Sequence, residues 1–326
     1  MLLYQSRIRD PYFNIAAEEY FLKKFTDDFF YMYVNEPCIV VGKHQNTMAE
    51  INVPYVFENN MKVIRRLSGG GTVYHDTGNL NFCFIKEGAA GHLVDFKKYT
   101  QVILDTLNSL GVNAMLRGKS DLVIDGLKFS GNAEHVYRNK VLHHGTLLFA
   151  SELNHLNEAI KADWSKFKDN AVRSNRSTVT NILSHLNQAL TIDEFRVEIL
   201  NTVLAETPDV EFYLLTENDE REINLLIDEK YATWEWNFGY SPEYEFAKEE
   251  EVTGGKLSIE MKIKKGLIQH VELEFNETIF KEAPLIIELL KNTPHHYLDV
   301  KDKLQPFFTR NTNLPLTFDE MMNAIF

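Results

Sequence analysis

Four groups of residues carry the chemistry that this chain offers. Arg65 and Arg66 directly precede Leu67-Ser68-Gly69-Gly70-Gly71-Thr72-Val73-Tyr74-His75. Glycine lacks a Cβ, so backbone there reaches positive φ and lets a ligand come close. Successive N–H groups in such a turn form an anion-binding concavity. An arginine beside it adds a planar fork suited to phosphate or carboxylate. The loop therefore reads as a cradle for an anion. It is not a Walker A loop, because no Lys-Ser or Lys-Thr follows the glycines, and it does not open a helix as a dinucleotide fingerprint does. Taken alone, it is also compatible with a glycine hairpin carrying two surface arginines.

The second group is Lys128, in Asp125-Gly126-Leu127-Lys128-Phe129-Ser130-Gly131-Asn132-Ala133. An ammonium where a strand meets a loop suits an α-phosphate or a carboxyl oxygen; a solvent-facing hairpin lysine is the competing reading. The third is Asp121, in Gly118-Lys119-Ser120-Asp121-Leu122-Val123. Mg²⁺ takes one or two carboxylates plus substrate phosphates, so Asp121 is a candidate for it, and a turn aspartate is the alternative. The fourth is the His143-His144 pair in Leu142-His143-His144-Gly145-Thr146. Neighbours on a strand point to opposite faces, so the two do not share a zinc ion. One is expected to pack inside and the other to line a cavity.

These groups need a scaffold, and the apolar periodicity supplies one. Helices are expected over 15–25 with Asn14 as N-cap, 54–60, 95–110, 151–160, 191–206 and 218–234. Strands are expected over 29–34 and 38–42 as a pair, then at 61–64, 79–85 and 141–149. Asp125-Gly126 between apolar runs signals a hairpin. Residues 163–180 read as a loop. The character changes near Gly239-Pro242. A charge run at 248–251, read as a solvated face, precedes a hairpin at 257–263 and 267–275. Helices near 281–291 and 318–325 complete the chain. The expected division is a catalytic domain over 1–246 and a small C-terminal domain over 247–326.

The chain has 326 residues, 44% of them hydrophobic and 25% charged, with a net charge of −13. That charge argues against nucleic acid as a partner, because phosphate neutralisation needs basic surface. No run approaches the ~20 apolar residues of a membrane span, and no signal-peptide pattern opens the chain. A cytoplasmic location is expected. Cys38 and Cys83 are too few for a disulfide framework and lie in apolar runs, where buried thiols are expected.

The chain resembles the lipoate–protein ligases of the biotin/lipoate ligase superfamily. The resemblance rests on Arg65 to Asp76 with Gly78-Asn79, Ser120-Asp121-Leu122-Val123, Lys128 to Ala133, His143 to Leu148, and more loosely Val172 to Asn181. It implies an α+β fold of mixed, largely antiparallel sheets flanked by helices, like the class II synthetases and biotin ligases, with a small α+β C-terminal domain. The implied reaction joins lipoate to ATP as lipoyl-AMP, then passes the lipoyl group to a lysine of an acceptor. The implied acceptors are lipoyl domains of 2-oxoacid dehydrogenase complexes and the glycine cleavage H protein.

By position in these motifs, Lys128 is the catalytic residue, bridging the lipoyl carbonyl and the α-phosphate. Arg66, Gly71, Thr72, Val73 and Tyr74 hold ATP. Ser68, Gly69, Gly70, His75 and His144 contact lipoate, and Asp121 holds Mg²⁺. His44-Gln45-Asn46 wall the lipoyl pocket, and strands around Val40 and Phe82 supply its apolar slot. Two alternatives stay open: an octanoyl or lipoyl transferase using a cysteine, and a non-catalytic lipoate-binding protein.

Overall fold

The computed structural model describes residues 1–88, 94–161, 163–207 and 209–326. The chain divides into two compact units, one of Met1–Lys43, Lys62–Asn157 and Ser174–Thr233, the other of His44–Met61, Glu158–Arg173 and Trp234–Phe326. Both mix helices with mostly antiparallel sheet, the expected α+β class.

The first unit is built on strands β1 (Leu2–Gln5), β2 (Phe29–Val34), β3 (Cys38–Val41), β4 (Lys62–Arg65), β5 (Val73–His75), β6 (Asn79–Glu87), β7 (Ala114–Arg117), β8 (Asp121–Ile124), β9 (Leu127–Tyr137) and β10 (Lys140–Leu148). An eight-stranded sheet runs Glu211–Phe212, β1, β2, β6, β10, β9, β8, β7. A second sheet has β3 at its centre, parallel to β4 and antiparallel to β5. The expected pairing of 29–34 with 38–42 is thereby corrected. Both edges of β2 are taken by β1 and β6, so β3, buried along its whole length, recruits β4 and β5 instead.

Strand alternation sorts the large sheet into two faces. Phe30, Met32, Phe82 and Phe84 enter an apolar core with Tyr99, Ile103 and Leu107 of helix Phe96–Ser109 and Phe195 and Ile199 of helix Ile192–Glu206. Tyr31, Tyr33 and Cys83 face the other way, toward helix α1 (Pro11–Lys24): the Tyr31 hydroxyl donates to Asn14 Oδ1 and the Tyr33 hydroxyl to Glu18 Oε1. The cap of α1 is Asp10 rather than Asn14. Asp10 Oδ1 accepts from the N–H groups of Tyr12 and Phe13, and Pro11 occupies the first turn, where its missing N–H costs nothing. Asn14 is instead buried within the helix.

The hairpin at Asp125-Gly126 forms as expected, with both residues at positive φ, 50° and 79°. Helix Glu217–Leu226 is shorter than the expected 218–234; a π-helical turn, Ile227–Tyr231, follows it.

The second unit carries an antiparallel sheet ordered Phe167–Asp169, Tyr244–Val252, Gly255–Lys264, Leu267–Phe275. Helices Ala283–Leu290, Tyr297–Arg310 and Phe318–Ile325 complete it. The charge run at 248–251 lies in a strand with Glu249 and Glu251 exposed; Lys248 pairs with Glu250 at 3.0 Å on the same strand face. Residues 163–180, expected as loop, contribute the short strand Phe167–Asp169.

His295 anchors this unit. It is 2% exposed, its Nε2 donates to the Ile325 carbonyl at 3.0 Å, and the Tyr244 hydroxyl donates to its Nδ1 at 2.6 Å. Burial depresses its pKa to about 4. The unfolded chain, with an ordinary histidine near 6.5, therefore binds the proton first on acidification. Stability is complete above about pH 6.5 and falls as the pH drops toward 4, by at most roughly 3 kcal/mol. Denaturant titrations of the full chain between pH 7 and 4 are expected to show this slope. His295→Gln, which does not titrate, is expected to flatten it; an unchanged slope would remove His295 as its source.

Candidate active site

The glycine loop joins β4 to β5, and the two arginines at its start point inward. Arg65 is fully buried, and its Nη1 donates to the carbonyls of Gly42 and Lys43 at 2.9 and 3.1 Å. Arg66 is 5% exposed and braces the loop itself. Its Nη2 donates to the carbonyls of Gly69 and Gly71, both at 2.7 Å, its Nη1 to that of Val40 at 3.1 Å, and its Nε to Ser68 Oγ at 3.0 Å. Burial lowers its pKa to about 10, against the pull of Glu18, so it stays charged at neutral pH. The arginines are thus part of the loop's framework rather than surface groups.

Two contacts set the loop's path. Gly70 has φ of +87°, a conformation that side chains rarely adopt. A Cβ on Gly71 would come within 3.0 Å of Ser174 Oγ, which accepts from the Thr72 N–H at 2.8 Å. Beyond the loop, Val73 and Tyr74 lie in register with Val40 and Ile39 of β3.

Lys128 approaches from the neighbouring sheet. Its backbone is pinned on one side by the 174–180 segment: Lys128 N–H donates to Thr178 O and Thr180 N–H to Lys128 O. Its ammonium sits 2.8 Å from Asp121 Oδ1. It lies over Gly131, where a Cβ would come within 3.2 Å of Nζ. Two residues further along β9, Ala133 Cβ lies 4.0 Å from where a Gly70 Cβ would stand. The loop tip and the Lys128 ammonium therefore flank the same stretch of β9.

The two histidines face opposite sides of the sheet, as their adjacency on a strand requires. His143 is fully buried, packed against Phe82, Phe96 and Tyr99, and bonded to Glu134 at 2.8 Å. His144 faces α1. Its Nδ1 meets Glu18 Oε2 at 2.8 Å and its Nε2 meets Ser68 Oγ at 2.6 Å. Glu18 accepts, so Nδ1 carries the hydrogen, and in the neutral ring Nε2 accepts from Ser68. The result is one polarised chain running Arg66, Ser68, His144, Glu18, Tyr33. Phe82 lies on the core face with His143, not on the face carrying His144.

His75 is 3% exposed; Asn35 Nδ2 donates to its Nδ1 at 3.0 Å, and Asn35 Oδ1 accepts from Asn14. Burial, then Arg66, then His144 lower its pKa to about 3, so the ring is neutral with its hydrogen on Nε2. That Nε2 is a buried donor without a hydrogen-bond partner among the described residues.

Glu18, Asn35 and Ser174 were not singled out by sequence reasoning, and Asn14 only as a helix cap. A signal for two of them exists: Asn14 and Glu18 are four apart in the helix, hence on one face. His44, Gln45 and Asn46 fall in the second unit, where Asn46 Nδ2 donates to Asp169 Oδ2 at 2.9 Å.

Residues 10–204 match the family model for the lipoyl protein ligase A/B catalytic domain. Lipoate–protein ligase 1 of Staphylococcus aureus is 43% identical over 270 residues, 82% of each chain. The chain belongs to the lipoate–protein ligase family. Its fold agrees with that of solved relatives. A structure described as a bi-partite lipoate protein ligase and its E2 lipoyl domain from Thermoplasma acidophilum has a TM-score of 0.62 at 25% identity, over 73% of this chain and 96% of that one. The P. falciparum LipL1 structure in complex with lipoate has a TM-score of 0.63 at 22% identity, over 99% of this chain and 97% of that one.

Proposed function

We propose that this ligase activates lipoate with ATP to lipoyl-AMP and transfers the lipoyl group to a specific lysine of lipoyl domains. The observation that carries this reading is the Lys128 ammonium beside a glycine loop braced from within by Arg66, both against one stretch of β9. Neither chemical step needs a protein nucleophile, because lipoate and the acceptor lysine supply their own. The enzyme's work is alignment and charge compensation.

Lys128 is assigned to the lipoyl carboxyl and the α-phosphate. Gly71, Thr72, Val73 and Tyr74 are assigned to ATP, on the stretch that follows the positive-φ turn at Gly70. Arg66 is assigned to the nucleotide phosphate, although its fork is occupied by loop carbonyls; a phosphate reaches it by displacing one of them. Ser68, Gly69, Gly70, His75 and His144 are assigned to lipoate, supported by the spare His75 Nε2 hydrogen. Asp121 is assigned to Mg²⁺. Among the described residues no group of three acidic, histidine or cysteine side chains is set to hold a metal. A single carboxylate suits an ion carried in on substrate phosphates, whose charge it would help neutralise.

The proposed partners are lipoyl domains of 2-oxoacid dehydrogenase complexes and the glycine cleavage H protein, and the proposed location is the cytoplasm. Among the described residues no helix is long and apolar enough to cross a membrane. We assign catalysis to 1–246 and an accessory role to 247–326.

The cysteine-dependent transferase fits poorly. Cys38 and Cys83 are both fully buried, and burial raises both thiols far from the thiolate that such chemistry needs. The deciding experiment combines pure protein, lipoate, ATP, Mg²⁺ and an apo lipoyl domain. AMP release dependent on lipoate, with lipoylation of the domain, is the expected result. ATP-independent acyl transfer that is blocked by thiol alkylation would overturn the reading.

A further inference from the structure

Asp121 is shared. One oxygen lies 2.8 Å from the Lys128 ammonium, and the other lies 3.4 Å from Arg117 Nη2. The β strands set this arrangement. Arg117 and Asp121 face each other in register between β7 and β8, and the register shift at Leu122/Val123 places Lys128 against Val123 on the next strand. Arg117 is held further by Nη1 donating to the Gly126 carbonyl at 2.8 Å, and its Nη2 lies 3.5 Å from Ser177 Oγ. Two cations thus share one carboxylate, leaving a positive excess in a chain whose net charge is −13. The two differ in access: the Arg117 side chain is 45% exposed and that of Lys128 is 22%.

We propose that Arg117 holds the β- and γ-phosphates of ATP and the pyrophosphate they become. This rests on the ligase reading above. In the adenylation step a lipoate carboxylate oxygen attacks the α-phosphorus. The bond from that phosphorus to the oxygen bridging the β-phosphate breaks, and its electron pair leaves on pyrophosphate. Lys128, at the inner end, compensates the α-phosphate. The charge that grows on the leaving group needs a second cation beside Lys128 and more open to solvent, as the Arg117 side chain is. Arg117 is that cation, linked to Lys128 through the carboxylate they share. Its planar fork suits two phosphate oxygens at once.

The test uses the full chain as wild type, Arg117→Ala and Arg117→Lys. Three quantities are read: KM for ATP in lipoyl-AMP formation, half-saturation by inorganic pyrophosphate in lipoate-dependent exchange, and the rate of transfer from supplied lipoyl-AMP to an apo lipoyl domain. For Arg117→Ala the first two are expected to rise about tenfold or more, the usual cost of a lost charge-assisted contact. Transfer, which involves no pyrophosphate, is expected to stay within about twofold. Arg117→Lys is expected to recover part of the loss. An unchanged KM for ATP overturns the proposal. So does a fall in transfer that matches the fall in adenylation, because that marks a structural role. Wild-type protein that fails to exchange pyrophosphate would instead overturn the ligase reading. Arg117 is largely at the surface, so the variants are expected to melt with the wild type; calorimetric titration with pyrophosphate gives a readout independent of turnover.

Discussion

Replacing Lys128 with alanine is expected to lower lipoyl-AMP formation by roughly 10²- to 10³-fold, the usual loss when one preorganised electrostatic contact to a developing charge is removed. The geometry supports a loss of that size. The ammonium sits near the start of β9, with its backbone N–H and carbonyl both bonded to the Thr178–Thr180 segment, so its position is set before any ligand arrives. Two anions that repel each other must meet beside it. Stability is expected to change by less than about 1 kcal/mol. The pair with Asp121 is lost, but Arg117 still faces that carboxylate. Lys128→Arg is expected to restore little, because a planar fork does not replace a compact point charge over Gly131. Lipoate-dependent ATP–pyrophosphate exchange measures the effect, with a thermal melt as control. Near-normal exchange in a folded Lys128→Ala protein would remove the catalytic assignment.

The residues legible in the sequence were those whose chemistry is local. Gly70 at positive φ, the Asp125-Gly126 turn and Lys128 beside Gly131 each follow from neighbours a few positions away. The strand at 257–263 followed from strict alternation of period two, and that at 267–275 from alternation in part. What the sequence concealed is long-range. The partners of β3 depend on β1 and β6 having already claimed both edges of β2. Arg66 looked like a surface fork because nothing local shows that its acceptors are the carbonyls of its own loop. Glu18 drew no reading of its own, because its partner His144 is 126 residues away in the chain. Helix Tyr297–Arg310 was missed because Pro306 interrupts its pattern, yet the packing of Val300, Leu304 and Phe308 keeps it helical.

That concealed glutamate should carry the largest stability effect in the first unit. Glu18 is 3% exposed and accepts from the Tyr33 hydroxyl at 2.9 Å and from His144 Nδ1 at 2.8 Å. The Cys83 thiol also hydrogen-bonds it, one of the effects that raise that thiol's pKa. Glu18→Ala leaves these buried donors without an acceptor. At about 1–3 kcal/mol for each unsatisfied group, a loss of about 3 kcal/mol or more is expected. Glu18→Gln is expected to recover only part of it, because one of its two ends donates where an acceptor is needed. The damage should spread along the chain of bonds. With Glu18 gone, nothing fixes the hydrogen of His144 on Nδ1, so Nε2 no longer has to accept from Ser68. Ser68 in turn loses the partner that orients it for Arg66, the brace of the glycine loop. A double-mutant cycle separates this from independent damage. Glu18→Ala and His144→Ala together are expected to cost at least about 1 kcal/mol less than the sum of the two, because the second change removes a donor that the first has already stranded. Denaturant unfolding of the four proteins measures the coupling. Additivity within about 0.3 kcal/mol would show that the contacts do not act as one chain, and that the loop is held by Arg66 alone.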